Sequence, residues 1–184
     1  MNFKEEKIGS QFIYDGRIIK LYNDTVRLPN GASANREYVK HPGGICVVPI
    51  TEKGEILLVR QYRYPYGEET LEIPAGKRDN AEEDPLEGGK RELKEELGVE
   101  AESYRFLGEF YPTPGYTDEV IYMYAAWGLK YGEASPDDDE FVAGEKYSAD
   151  DLLQMILDGK IKDGKTQAAV LKVNALIEKG IINI

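Results

Sequence analysis

Glu92, Glu95 and Glu96 lie within five consecutive positions of the chain. Residues three and four apart on a helix share a face, so on a helix these three carboxylates emerge together. The surrounding sequence predicts that helix over 84–97. Asp84 suits the N-cap, Pro85 the first helical position and Glu87 the capping-box acid, and Gly98 follows as a terminator. Leu86, Leu93 and Leu97 form an apolar stripe, which leaves the carboxylates on the opposite, solvent-facing side. Like charges at this spacing destabilise a helix by roughly 0.2–0.5 kcal/mol per pair. A cluster of hard oxygen ligands is, however, what Mg²⁺ requires. Arg91 is placed to pair with one carboxylate and hold its rotamer. Taken alone, three glutamates on a helix more often make an ordinary solvated face. The neighbouring residues argue for more. Leu71-Glu72-Ile73-Pro74-Ala75-Gly76 reads as a short strand that must end at a glycine. Gly88 and Gly89 sit inside the helix, where each costs about 1 kcal/mol against Ala, so a close backbone approach is expected there.

Other residues with chemical potential are fewer. Phe110 to Glu119, FYPTPGYTDE, reads as a rigid turn between strands. Residues 137–140, DDDE, read on composition as a solvated acidic loop. Arg36 and Arg63 read as surface ion pairs among many charges, although arginine also grips phosphate with two parallel hydrogen bonds. Tyr62, Tyr64 and Tyr66 offer either a stacking face or strand packing. His41, the sole histidine, stands in a His-Pro-Gly-Gly turn and reads as structural, as does the sole cysteine, Cys46, inside an apolar run. Neither belongs to a nucleophile–base constellation.

The elements that must position these groups follow from patterning. Residues 11–40 alternate as strands, with Ile18, Leu21, Val26 and Leu28 flanking polar positions and Asn30-Gly31 supplying a hairpin turn. Residues 45–50 are a continuous buried strand, and residues 55–63 are another. Strands are expected near 104–110 and 119–127. A helix over 148–159 opens with Ser148 and Asp151 as a capping box, and an amphipathic helix over 165–179 uses Ala169, Val170, Val173, Leu176 and Ile177. This order predicts helices packed on a mixed sheet.

A chain of 184 residues suits one domain with a small terminal extension. Apolar residues at 41% and charged residues at 31% indicate a globular protein. The net charge of −11 argues against nucleic-acid binding, because the chain repels phosphate backbones. It would equally repel a phosphorylated small molecule, so a divalent metal is the economical mediator for such a substrate. The first ten residues have no apolar signal core and no run reaches transmembrane length, so the expectation is a cytoplasmic protein with no membrane partner. A single thiol agrees with a reducing compartment.

The segment from Gly76 to Val99 resembles the Nudix signature. That signature runs Gly, five residues, Glu, seven residues, then Arg-Glu-apolar-any-Glu-Glu-any-Gly-apolar. Here Gly76 is followed by six residues, Glu83, seven residues, and Arg91-Glu92-Leu93-Lys94-Glu95-Glu96-Leu97-Gly98-Val99. The departure is one extra residue between Gly76 and Glu83, in the loop before the helix. The resemblance implies an α/β/α sandwich with a mixed sheet and an N-terminal β-hairpin extension. It implies Mg²⁺, or Mn²⁺ in its place, on Glu92, Glu95 and Glu96, with the Ala75 carbonyl as a further ligand and Arg91 and Glu83 in support. Pro114, sixteen residues after Gly98, stands in a Thr-Pro-Gly setting similar to the ADP-ribose pyrophosphatase branch. There this loop lies against the terminal ribose, which makes Glu119 a ribose contact by resemblance. Arg36 and Arg63 match substrate-contacting arginines of that branch. Glu140 matches a loop glutamate near the metals and is assigned as metal ligand or catalytic base; Asp138 and Glu96 are the alternative bases. The resemblance further implies residues 1–42 as a β extension that helps build a homodimer, and 43–184 as the Nudix hydrolase domain. The implied reaction is cleavage of ADP-ribose to AMP and ribose 5-phosphate. The alternatives are GDP-mannose or another nucleotide sugar as substrate, and a catalytically inactive nucleotide-sensing domain.

Overall fold

The computed structural model describes residues 2–78, 82–136 and 140–183. Among them the chain forms ten strands and three helices, grouped in two compact units.

The first unit comprises residues 1–43 and 111–120. Its strands β1 (Glu6–Asp15), β2 (Lys20–Arg27) and β3 (Ser33–Lys40) form an antiparallel sheet in that order. Asn30-Gly31 makes the β2–β3 turn, with Gly31 N donating to Leu28 O at 2.9 Å and the Asn30 side chain accepting from Ala32 N at 3.0 Å. The expected strands and hairpin over 11–40 are present, within a three-stranded sheet whose first strand begins earlier, at Glu6. Residues 6–15 bury almost nothing, so no burial-driven alternation marks β1 in the sequence. Ile18, expected on a strand, lies in the β1–β2 turn, and Leu28 falls just beyond β2. The segment 111–120 is stitched onto β3. Val39 N donates to Tyr116 O at 2.7 Å, and Asp118 N to Val39 O at 3.2 Å. The Asp118 carboxylate accepts from Tyr38 Oη at 2.5 Å and from His41 N at 2.8 Å.

The second unit comprises residues 44–110 and 121–184. Strands β4 (Gly44–Pro49), β7 (Ala75–Lys77), β8 (Val99–Phe110) and β9 (Ile121–Tyr131) form a mixed sheet in the order β7-β4-β9-β8, with β4 and β9 parallel. Strands β5 (Glu55–Arg63), β6 (Glu68–Glu72) and β10 (Val142–Ser148) form an antiparallel sheet in the order β10-β5-β6. Side chains on β4 alternate between two cores. Ile45 and Val47 pack with Leu93 of α1 (Pro85–Leu97), whereas Cys46 and Val48 pack with α2 (Ala149–Leu157) and α3 (Gly164–Glu178). That period-two division places helices on both faces, an α/β/α sandwich.

The capping residues act as their types predict. Asp84 accepts from Leu86 N and Glu87 N, Gly98 ends α1 at φ +63°, and Ser148 caps α2 through Asp151 N. Several elements differ from expectation. Residues 71–76 do not form one strand, because β6 ends at Glu72 and Pro74 precedes the separate strand β7 in the other sheet. Strands β8 and β9 are longer than expected, since Val99–Ala101 pair with Leu129–Tyr131. Strand β10, rich in exposed and poor strand-forming residues, follows the edge of β5.

Candidate active site

The N-cap, the interior glycines and Leu93 of α1 set the helix tightly against β4. A Cβ at Gly89 would lie 3.1 Å from Cγ2 of both Ile45 and Val47, and one at Gly88 2.9 Å from Ile45 Cδ1. The close backbone approach that the two glycines imply is therefore to β4. Across the helix, Glu92 and Glu96 are 7% and 6% exposed. The solvent-facing position expected for them is corrected. The strand β7 covers this face of α1, and a Cβ on Gly76 would overlap the Glu92 carboxylate. Gly76 is where β7 makes room for a charged side chain.

Arg91 organises the cluster. Its Nη1 meets Glu92 Oε1 at 2.8 Å and Glu95 Oε2 at 2.9 Å, and its Nη2 meets Glu83 Oε1 at 3.5 Å. Glu96 Oε2 accepts from Ala75 N at 3.1 Å. Burial pushes the Glu92 carboxyl up to about 7 against the pull of Arg91. Burial together with repulsion from Glu92 carries Glu96 to about 8. Glu140, from the segment before β10, adds to the repulsion felt by both. In donor type this cluster suits a hard divalent cation: carboxylates only, two of them buried. Among the described residues no three acidic side chains stand ready as a closed cage, and Arg91 bridges Glu92 and Glu95. Asp138 lies outside the described residues, as do residues 79–81 of the loop that carries the extra residue.

Arg63 is anchored and half-exposed. Its Nε and Nη2 each donate to Glu72 at 2.7 Å. Burial alone would raise the Glu72 carboxyl, but the hydrogen bonds and charges of Arg63 and Lys165 outweigh it and hold it at about 2. Glu72, Lys165 and Asp163 were missed in the sequence. Their pairing joins β6 to the start of α3 across more than ninety residues, and no local spacing signals it. Tyr62, Tyr64 and Tyr66 are exposed at 59%, 87% and 78%, so strand packing does not explain them.

Arg36, Pro114 and Glu119 belong to the first unit. Arg36 on β3 is paired with Glu5 through Nε at 3.0 Å and Nη2 at 2.6 Å. Pro114 and Glu119 are on the segment stitched to β3. His41 Nδ1 accepts from Gly43 N at 3.1 Å, which makes the histidine a turn-former. That lone pair being used, its 3.7 Å approach to Glu119 is not a hydrogen bond. Cys46 is buried in β4, and burial pushes its thiol up to about 12, an inert state.

Residues 40–169 match the family model described as NUDIX domain, and residues 5–39 match that described as nucleoside diphosphate sugar hydrolase N-terminal domain. The chain belongs to the Nudix family. It is similar to an ADP-ribose pyrophosphatase of Bacillus subtilis (strain 168), 37% identical over 92% of each chain. It is also similar to a methanol dehydrogenase activator of Bacillus methanolicus, 44% identical over 91% of each. A crystal structure of an ADP compounds hydrolase superposes with a TM-score of 0.84 over 97% of both chains at 20% identity, which speaks to the fold. The chain is thus a member of the Nudix hydrolase family whose relatives include proteins named ADP-ribose pyrophosphatase. Among the described residues no helix is long and apolar enough to cross a membrane.

Proposed function

We propose that the protein cleaves the diphosphate of ADP-ribose, with Mg²⁺, to give AMP and ribose 5-phosphate. The observation that carries this is the anchored pair of site features in one unit: the carboxylate cluster of α1 and the half-exposed Arg63 guanidinium, which lies within electrostatic reach of Glu96. The loop around Pro114 and the ADP-ribose pyrophosphatase relative support the choice of sugar nucleotide.

Glu92, Glu95 and Glu96 would hold the metal, with the Ala75 carbonyl and Glu140 as further ligands. Bound there, Mg²⁺ supplies charge neutralisation of the diphosphate and a lowered pKa for the attacking water. Arg91 sets the rotamers of Glu92 and Glu95. Arg63 pairs with phosphate oxygens, to which a guanidinium presents a planar fork. Glu140 accepts the proton of the attacking water, with Glu96 as the alternative base. Arg36, Pro114 and Glu119 contact the nucleotide and the terminal ribose. Residues 1–42 serve as the extension through which two copies form a homodimer, and residues 43–184 serve as the hydrolase domain. Exposed Ile8, Phe12, Ile13 and Tyr14 on β1 support that role for the extension. We place the enzyme in the cytosol, acting on a small nucleotide sugar without nucleic-acid or membrane partners.

The test is a substrate panel with Mg²⁺, read by product chromatography. ADP-ribose should be cut in preference to GDP-mannose and to nucleoside triphosphates. A preference for either of the others removes the ADP-ribose reading and leaves Nudix chemistry standing. A second reading, activation of a methanol dehydrogenase, is favoured by the relative at 44% identity. It is tested by adding the chain to that enzyme and measuring turnover.

A further inference from the structure

A second charged network lies deeper in the same unit as the carboxylate cluster. The two oxygens of Glu72, a residue 2% exposed, take Nε and Nη2 of Arg63, Oγ1 of Thr70 at 2.5 Å and Nζ of Lys165. Lys165 Nζ also meets Asp163 Oδ1 at 3.0 Å. Asp163 caps α3 by accepting from Thr166 N at 2.9 Å, and Thr166 Oγ1 accepts from Ile73 N at 2.9 Å. The start of α3 therefore grips Glu72 and Ile73. Two residues further along, Ala75 N donates to Glu96.

Exposure within this network is uneven. The side chains of Glu72 and Lys165 are 2% and 10% exposed, whereas that of Arg63 is 39% exposed. The arginine is the end that reaches outward, and its rotamer is set by a carboxylate that is itself held by Lys165. Buried ion pairs of this kind seldom add stability over an apolar packing of the same volume. They do fix geometry. An arginine already held in one orientation loses less side-chain freedom when it takes a phosphate, and the saving appears as substrate affinity.

We propose that Lys165 is a positioning residue of this hydrolase: by anchoring Glu72 to the start of α3 it fixes Arg63 in the orientation that receives the substrate diphosphate. The inference rests on the reading of Arg63 as a substrate contact. Lys165 does not touch substrate, and its effect passes through Glu72 and Arg63.

The experiment is steady-state hydrolysis of ADP-ribose with Mg²⁺ by the full chain, its Lys165→Met, Lys165→Arg and Arg63→Ala variants, and the Lys165→Met/Arg63→Ala double variant. Lys165→Met should raise KM about tenfold with kcat changed less than about threefold. Lys165→Arg should recover most of that rise. The double variant should have the KM of Arg63→Ala alone, because groups that act through one another are not additive. An unchanged KM in Lys165→Met, or a rise that multiplies with that of Arg63→Ala, would overturn the proposal and leave Lys165 as a stabilising residue only. Should Lys165→Met fail to fold, Glu72→Gln takes its place, with the same KM rise and the same non-additivity expected. Arg63→Ala with the wild-type KM would overturn the inference through its premise. Failure of the proposed substrate shows separately, in the wild-type panel. The variants are then compared on the diphosphate sugar that is cut.

Discussion

Replacing Gly76 by alanine separates the site from the fold. Gly76 does not have a positive φ, so alanine fits the strand backbone. It even gains about 0.5–1 kcal/mol by restricting the unfolded chain. The obstacle is the Glu92 carboxylate, which occupies the space of the new Cβ. A carboxylate is the far end of a flexible side chain, and Glu92 can leave. In leaving, it loses the 2.8 Å charged hydrogen bond from Arg91, worth about 1.5–3 kcal/mol, and it regains water. These contributions oppose one another, so the net change in stability is expected within about 1 kcal/mol. For a domain of this size that is a Tm shift within roughly 4 °C. If Glu92 is the metal ligand proposed above, hydrolysis should fall by about a hundredfold or more, since it has been turned out of its place. Gly89→Ala is the contrast. There the Cβ meets Ile45 and Val47 in the core at 3.1 Å. A gain in helix propensity of about 1 kcal/mol stands against about 1–3 kcal/mol of overpacking. Gly89→Ala should lose up to about 2 kcal/mol and keep its activity per folded molecule. Thermal melts and ADP-ribose turnover on both variants decide the matter. Wild-type turnover in Gly76→Ala would refute the argument that β7 exists in this form to seat Glu92.

Glu96→Gln should lower turnover at least about a hundredfold while the fold survives, checked by circular dichroism beside the kinetics. The metal-free protein should lose stability as pH rises from about 4.5 to about 8. The folded-state pKa values of Glu92 and Glu96, about 7 and about 8, lie above the ordinary 4.5, so their contribution is complete below 4.5 and is lost as the pH rises from there through the raised values. Melts in chelator at pH 5.5 and 8.5 test this, and millimolar Mg²⁺ should restore stability at the higher pH, with no restoration counting against a preformed site. Glu72 acts oppositely: held at about 2, it contributes stability above 4.5 that is lost only as pH falls towards 2, and Glu72→Gln should abolish that acid-side loss in melts. Glu119→Ala should damage ADP-ribose hydrolysis more than that of a diphosphate substrate lacking the terminal ribose, and equal losses in kcat/KM would sink that contact, whereas Arg63→Ala should damage both alike.

The parts legible in the sequence were those with local causes. Asp84, Pro85 and Gly98 define α1 by capping chemistry, and the spacing of Glu92, Glu95 and Glu96 follows from 3.6 residues per turn. The alternation of β4 between two cores follows from a continuous apolar run. What stayed hidden depended on partners distant in the chain. The amphipathic pattern puts Glu92 and Glu96 opposite the leucines, which normally means water. It does not show that β7 will cover them. Arg63 looked like a surface charge because Lys165, about a hundred residues later, supplies the anchor behind Glu72. The start of β1, residues 6–10, escaped because the pairing of this strand with β2 leaves both its faces exposed, and alternation carries information only where one face is buried.

The first unit is discontinuous, and that has a consequence for how the chain is made. Tyr38 and its partner Asp118 are 80 residues apart, with much of the second unit encoded between them. A nascent chain emerging at about 5–20 residues per second carries the three N-terminal strands for several seconds before the segment that completes them exists. During that interval the sheet has neither the Val39–Tyr116 bond nor the Asp118 brace. The same wiring constrains transplantation. Residues 1–43 moved to another hydrolase would arrive without the segment 111–120 that they hold, and that segment left behind would lose the strand against which it is sewn. Residues 1–43 and the segment 111–120 must be exchanged as one piece.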